Sequence, residues 1–282
     1  MTTYFGTGLT GFVGRALTRY LLSLEGTERI TCLTRGVRPG YIDDPRVDYW
    51  LGDITDCDFP ERSFDRIIHA ASEANDLLAP DKMKYYYDVV EGSRRLFDWA
   101  RDKSGIILYV SSGAVVKGNS TYCRAKRVSE QLVPSWAKIA RIYSLVGPGL
   151  PLDGQYAIGR FIGQAIRDKE VRFYDSGSVR SYLHVDDCAK WLYAIMERGD
   201  DKLFGGTYDV GSDVSISVRD LAYLVARLAD VPCVEIPRTD FHNTAQVYVP
   251  HIYRATQLGC KITTGLEDSI RDTIKKLTDS SE

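Results

Sequence analysis

The chain has 282 residues, enough for one large domain or two closely packed ones. A formal net charge of −2, with 44% hydrophobic and 26% charged residues, describes an ordinary globular protein and gives nucleic acid no electrostatic pull. Six scattered cysteines without CxxC spacing, four histidines without metal-ligand spacing and no long apolar run argue against a disulfide framework, a metal centre and a membrane span.

The chain opens almost at once on a strand-like piece at 3–6, leaving no room for a signal peptide, so the cytoplasm is the expected location. Residues 12–24 follow, with Val13, Leu17, Leu21 and Leu24 at helical spacing. Strand patterns cover 29–34, Val47–Leu51 and Arg66–His69, then a helix is predicted over 85–100. A fifth strand at 106–110, a helix at 122–132 and a sixth strand at 137–142 continue the alternation. Such alternation predicts an α/β fold, a Rossmann-type doubly wound parallel sheet with helices on both faces. The breaker cluster Gly147-Pro148-Gly149-Leu150-Pro151 changes the texture. We therefore expect a dinucleotide-binding domain over 1–146 and a smaller C-terminal α/β substrate-binding part over 147–282, some of it packing back on the first. That part carries helix patterns at 158–167, 185–197, 218–228 and 266–277.

Between the first strand and first helix runs Gly6-Thr7-Gly8-Leu9-Thr10-Gly11-Phe12-Val13-Gly14. A strand-to-helix turn aims backbone N–H groups and the positive end of a helix at one spot, and glycine lets a pyrophosphate approach them. Gly8, Thr10, Gly11, Phe12, Val13 and Gly14 are thus candidate dinucleotide contacts. Tight packing of the turn alone would select the same letters; strand, spacing and helix together favour the ligand. Asp53, after the third strand, is placed to accept from an adenine amino group with Ile54 against the ring, or else is a solvated turn residue. Ala70 and Ala71 end the fourth strand with side chains small enough for a cofactor to pass. At the end of the second strand an acid would bind the ribose hydroxyls of NAD, whereas Arg35 stands there and favours the 2′-phosphate of NADP. Arg35 lying over adenine or in solvent is the alternative.

Ser111 and Ser112 close the fifth strand, and Tyr122 and Lys126 sit at i and i+4 of the next helix, on one face. An ammonium beside a phenol favours phenolate, which can exchange a proton with a substrate oxygen while hydride moves to or from a nicotinamide. A neighbouring serine hydroxyl can hold the same oxygen. Alone, such a Tyr–Lys pair is commonly just a helix face.

Taken together these residues resemble the extended short-chain dehydrogenase/reductases, the NAD-dependent epimerase/dehydratase family. Thr7–Gly14 is similar to the family's TGxxGFxG loop and Tyr122/Lys126 to its YxxxK, with Ser112 at the active-site Ser/Thr. Arg180-Ser181-Tyr182-Leu183-His184-Val185-Asp186-Asp187 resembles its R-x-(Y/F)-x-x-V-x-D segment, whose Arg contacts a diphosphate. Arg141-Ile142-Tyr143-Ser144 resembles the segment that touches nicotinamide and sugar, with Ser144 where many members have Asn. The resemblance implies a nucleotide-sugar bound between the two parts, an NAD or NADP cofactor, and a homodimer. Ser112, Tyr122 and Lys126 would be catalytic, Tyr122 and Lys126 would also touch the cofactor, and Ser144 and Arg180 would bind substrate.

Three departures stand out. Only the nine residues 113–121 separate Ser112 from Tyr122; the customary Tyr-Gly reads Val116-Lys117-Gly118; and NVxGT reads Val89-Val90-Glu91-Gly92-Ser93. An epimerase or 4-keto reductase of a nucleotide-linked sugar is the leading expectation. A 4,6-dehydratase of the same family is the alternative, although Gly113-Ala114 replaces the Asp-Glu pair that dehydratases use. A catalytically idle NADP-binding regulator is the alternative of another class.

Overall fold

In the computed structural model, which describes residues 1–36, 41–72, 79–103, 105–152, 156–199, 206–237 and 245–279, the chain divides into two compact units. The first comprises Met1–Ile142, Ala189–Val210 and Tyr253–Cys260; the second comprises Tyr143–Cys188, Gly211–Ile252 and Lys261–Glu282.

In chain order the first half forms β1 (Thr2–Thr7), α1 (Phe12–Leu22), β2 (Thr27–Thr34), β3 (Val47–Leu51), β4 (Arg66–His69) and α2 (Lys82–Ala100). Then come β5 (Ile106–Ser112), a 3₁₀ turn at Gly113–Val115, α3 (Thr121–Leu132) and β6 (Lys138–Ile142). The rest forms β7 (Leu145–Val146), α4 (Ala157–Arg167), β8 (Val171–Phe173), β9 (Val179–Ser181), β10 (Leu183–His184) and α5 (Val185–Arg198). β11 (Thr207–Val210), β12 (Ser215–Ser217), α6 (Val218–Ala229), β13 (Cys233–Glu235), β14 (Val247–Tyr248), α7 (Tyr253–Gln257) and α8 (Leu266–Asp279) complete the chain.

The first unit is built on a seven-stranded sheet of order β11-β6-β5-β4-β1-β2-β3, parallel throughout. This is the Rossmann-like α/β arrangement. Strand order reverses between β1 and β4, so the C-terminal ends of those two strands open a crevice where such sheets bind ligands. The strands are rich in Ile, Leu, Val and aromatics, as burial on both faces requires. Phe5 of β1 packs on Trp99 of α2 at 4.8 Å, and Phe59 stacks on the same indole at 5.0 Å. Arg66 of β4 forks onto Glu197 of α5, with Nε 2.6 Å from Oε1.

In the second unit α4 packs on α6, and both cover the small parallel pair β8/β13. β9 lies between antiparallel β12 and parallel β14, while β7 pairs with β10 against α8. The buried carboxylate of Asp187 accepts from the backbone N–H groups of Thr263 and Thr264 at 2.7 and 3.0 Å, and from the Thr263 hydroxyl. No helix among the described residues is long and apolar enough to cross a membrane.

Three of the element ends that differ from the sequence reading have a local cause or consequence. α2 starts a turn before residue 85 because the Asp81 side chain accepts from the N–H groups of Met83 and Lys84. α1 stops at Leu22, where the Ser23 N–H turns back to Arg19 and Tyr20. β5 runs on to Ser112, which brings both serines into the strand.

Candidate active site

The glycine loop leaves β1 through Gly8, whose φ of +72° disfavours any side chain. A Cβ there would lie 2.5 Å from the Ala70 carbonyl, so loop and β4 end meet backbone to backbone. A Cβ on Gly14 would overlap the Gly8 carbonyl and Leu9, which closes the first turn of α1 onto the loop. Gly11 is the N-cap of α1 and brings no side chain to its first N–H groups, and Phe12 to Arg15 bring no acid. An uncapped N-terminus behind a loop that a Cβ would block suits a dinucleotide diphosphate. Thr10, Phe12 and Val13 are half-buried around it.

Beneath the loop lies a polar chain that sequence reading missed. Thr7 and His69 are register partners on β1 and β4, with Oγ1 2.7 Å from Nδ1. The other ring nitrogen is 2.9 Å from Ser93 Oγ, and Ser93 donates to the Val89 carbonyl at 2.8 Å. Ser93 has spent its proton, so His69 donates to it through Nε2–H and accepts from Thr7 at Nδ1. Thr7 in turn accepts from the Ala71 N–H at 3.3 Å. Burial, then the Lys126 charge, hold His69 well below 6.5, consistent with this neutral tautomer. The chain fixes the backbone of Ala70 and Ala71 against the loop. Its partners are 62 and 24 residues apart, and no local pattern marks them.

At the neighbouring strand ends, Arg35 is exposed and its cation acts on Asp53. Burial raises the Asp53 carboxyl, but hydrogen bonds from Thr55 and the Arg35 charge outweigh it and hold the group below the usual range. Asp53 Oδ1 accepts from the Thr55 N–H at 3.0 Å and its hydroxyl at 2.7 Å. Ile54 lies against Gly92 of α2, where a Cβ would be 2.7 Å from it.

The short segment after β5 is tightly wound. Ser112 Oγ accepts from the Ala114 N–H at 3.2 Å and caps the 3₁₀ turn, leaving its own proton for another acceptor. Ser120 caps α3 through the Cys123 N–H, and Arg127 of α3 bonds back to the carbonyls of Val115 and Gly118 at 2.9 and 2.6 Å. Tyr122 is half-buried in the first turn of α3. One turn on, Lys126 is 2% exposed; its Nζ donates to the Val110 carbonyl at 2.7 Å and stands 4.5 Å over the Tyr109 ring. Burial pushes the ammonium down to about 7, against the pull of Glu130.

The second unit carries Ser144 and Arg180. Arg180 donates from NH1 to the carbonyls of Val179 and Gln246 at 2.9 and 2.7 Å and sits 5.9 Å over Tyr248, whose ring packs tilted against Tyr143 at 4.6 Å. Ser144 follows Tyr143 and is half-buried. The two expected substrate residues are thus linked through a pair of tyrosines within that unit.

The sequence profile of the NAD dependent epimerase/dehydratase family matches residues 7–211, which include the glycine loop, the Tyr122/Lys126 pair and Arg180. The chain belongs to this family. UDP-glucuronic acid decarboxylase 6 of Arabidopsis thaliana is 27% identical over 263 residues, 82% of this chain and 75% of that protein. Among solved structures, a UDP-glucose 4-epimerase of Thermotoga maritima with UDP-glucose superposes with a TM-score of 0.83 at 18% identity, covering 99% of this chain and 100% of that one. A dTDP-glucose 4,6-dehydratase of Bacillus anthracis in complex with NAD gives 0.81 at 17% identity, covering 99% and 97%.

The lysine makes a pH prediction for stability. Folded Lys126 releases its proton near pH 7, below the ordinary 10.5 that the unfolded chain retains. Between those values the unfolded state binds more protons, so wild-type stability rises with pH relative to Lys126→Met, by up to ~1.4 kcal/mol per pH unit. Below the folded value the two proteins run parallel. Urea unfolding of both at pH about 6 to 10 reads the difference.

Proposed function

We propose that the protein is an enzyme that holds a nicotinamide dinucleotide at the Gly8–Gly14 loop and modifies a nucleotide-linked sugar by hydride transfer, as an epimerase or 4-keto reductase. The observation that carries this reading is the buried Lys126 ammonium at the end of β5, one turn from Tyr122. Lysine ammonium groups usually reach solvent, so one held in the interior beside a tyrosine points to a chemical task.

The residues divide the work. The loop and the N-terminus of α1 bind the diphosphate; Ala70 and Ala71 leave room beside them, and Asp53 and Ile54 lie at the adenine end. The bound nicotinamide supplies the hydride donor or acceptor. Lys126 lowers the cost of Tyr122 phenolate, so Tyr122 takes a proton from a sugar hydroxyl or returns one to a carbonyl oxygen. Ser112 donates to that same oxygen. Ser144 and Arg180 bind the substrate, Arg180 by its charge on a diphosphate. Exposed Met83 and Tyr87 on α2 offer apolar surface for the second copy of a homodimer, and the cytoplasm supplies the substrate class.

Turnover of UDP-, dTDP-, CDP- and GDP-hexoses and their 4-keto derivatives, followed through nicotinamide absorbance and product mass, tests the reading. Tyr122→Phe should keep the fold and the cofactor and lose at least about a hundredfold in rate, the usual worth of an acid–base group. Retention of most of the activity would remove Tyr122 from the chemistry. Dinucleotide binding without turnover of any of these sugars would favour the idle regulator. No substrate should lose water to a 4-keto-6-deoxy product, because Gly113 and Ala114 occupy the 3₁₀ turn where a dehydratase needs two carboxyls.

We further propose that Arg35 selects NADP through the adenosine 2′-phosphate. Its exposed position at the end of β2, with Asp53 the nearby acid, supports this. A charge-assisted hydrogen bond contributes ~1.5–3 kcal/mol, about ten- to a hundredfold in affinity. Arg35→Ala should therefore weaken NADPH by that factor and leave NADH nearly unchanged in calorimetric titration. Equal weakening of both, or a wild-type preference for NADH, contradicts the assignment.

A further inference from the structure

Glu130 follows Lys126 by one turn of α3, as Lys126 follows Tyr122, so the three side chains share a helix face. The Glu130 side chain is only 9% exposed. Both its oxygens are engaged by Arg141 of β6, Oε1 by Nε at 2.9 Å and Oε2 by NH2 at 2.6 Å. A two-pronged bond of this kind fixes the direction of a buried carboxylate. Arg141 stands opposite Ser111 in the β5–β6 register, so the pair also ties α3 to the strand end that carries the serines.

Lys126 is enclosed by groups from three elements. β5 presents the Val110 carbonyl and the Tyr109 ring, β4 presents His69, and α3 presents Glu130, with Tyr122 one turn before the lysine on the same helix. His69 is neutral by its hydrogen bonds, and the ring and the carbonyl are dipoles. Among the described residues, the full negative charge that acts on Lys126 is Glu130's. We propose that Glu130, oriented by Arg141, is a positioning residue that lets the buried Lys126 carry its proton beside Tyr122. Arg141 thereby serves the chemistry from outside it, by holding the carboxylate towards the lysine.

The consequence for turnover rests on the function proposed above; the effect on Lys126 does not. The probe is therefore the lysine itself, in protein with ¹³C-labelled lysine, its resonance assigned by its loss in Lys126→Met. Wild-type Lys126 should titrate near pH 7. Glu130→Gln removes the charge that favours the ammonium, so the midpoint should fall by about one unit, a tenfold loss of proton affinity. Glu130→Asp should restore most of it. The double variant Glu130→Gln/Arg141→Met leaves no unpaired guanidinium and serves if the single variant does not fold; its midpoint should fall likewise. An unchanged midpoint in whichever of these folds overturns the proposal and leaves Glu130 a structural tie between α3 and β6. With a verified substrate, the limb of the pH–rate profile set by Lys126 should move down in Glu130→Gln and return in Glu130→Asp. Absence of turnover on every sugar would count against the proposed function and leave the titration readable.

Discussion

The structure around the candidate site depends on burying one ammonium. Removing Lys126 from water costs several kcal/mol before any compensation. The Val110 carbonyl, the Tyr109 ring and the Glu130 carboxylate supply that compensation only while α3 is pressed against β5. The short connector does the pressing. Ser112 and Ser120 cap its two ends, and Arg127 stitches its carbonyls to the helix. Its brevity thus gives Tyr122 and Lys126 a fixed place relative to the end of the strand.

A second constraint acts at the other side of the crevice. Gly8 meets Ala70 backbone to backbone, so the loop keeps its shape only if the end of β4 stays in place. The sequence Ala71–Thr7–His69–Ser93–Val89 holds it, each hydroxyl both giving and receiving while the imidazole accepts at Nδ1 and donates at Nε2. Such a chain is costly to break at any one point, because the groups on either side are left buried without partners. The Lys126 charge lowers His69, so the two halves of the site share one electrostatic environment.

Local features of the site were legible in the sequence. The glycine loop was placed between β1 and α1 because strand, turn and helix are contiguous, and Tyr122 and Lys126 on one helix face because four residues on a helix make about one turn. The parallel sheet followed from alternating strand and helix patterns. The Asp81 cap went unread in the sequence, and it moves the start of α2 to Lys82. What escaped were the pairings made by topology. Glu130 meets Arg141 only after the chain turns into β6, and His69 meets Thr7 and Ser93 only once β1, β4 and α2 are assembled. The contact of Ile54 with Gly92 of α2 likewise joins positions that no linear pattern links. The Tyr143–Tyr248 contact beside Arg180 joins residues more than a hundred positions apart.

The claim on which the rest stands is that this loop and this lysine serve a bound dinucleotide. Mass spectrometry of the small molecules released by denaturing the protein, purified without added cofactor and again after incubation with NAD(H) and NADP(H), tests it most directly. The account predicts about one nicotinamide dinucleotide per chain. A protein that releases none and retains none after incubation would contradict it.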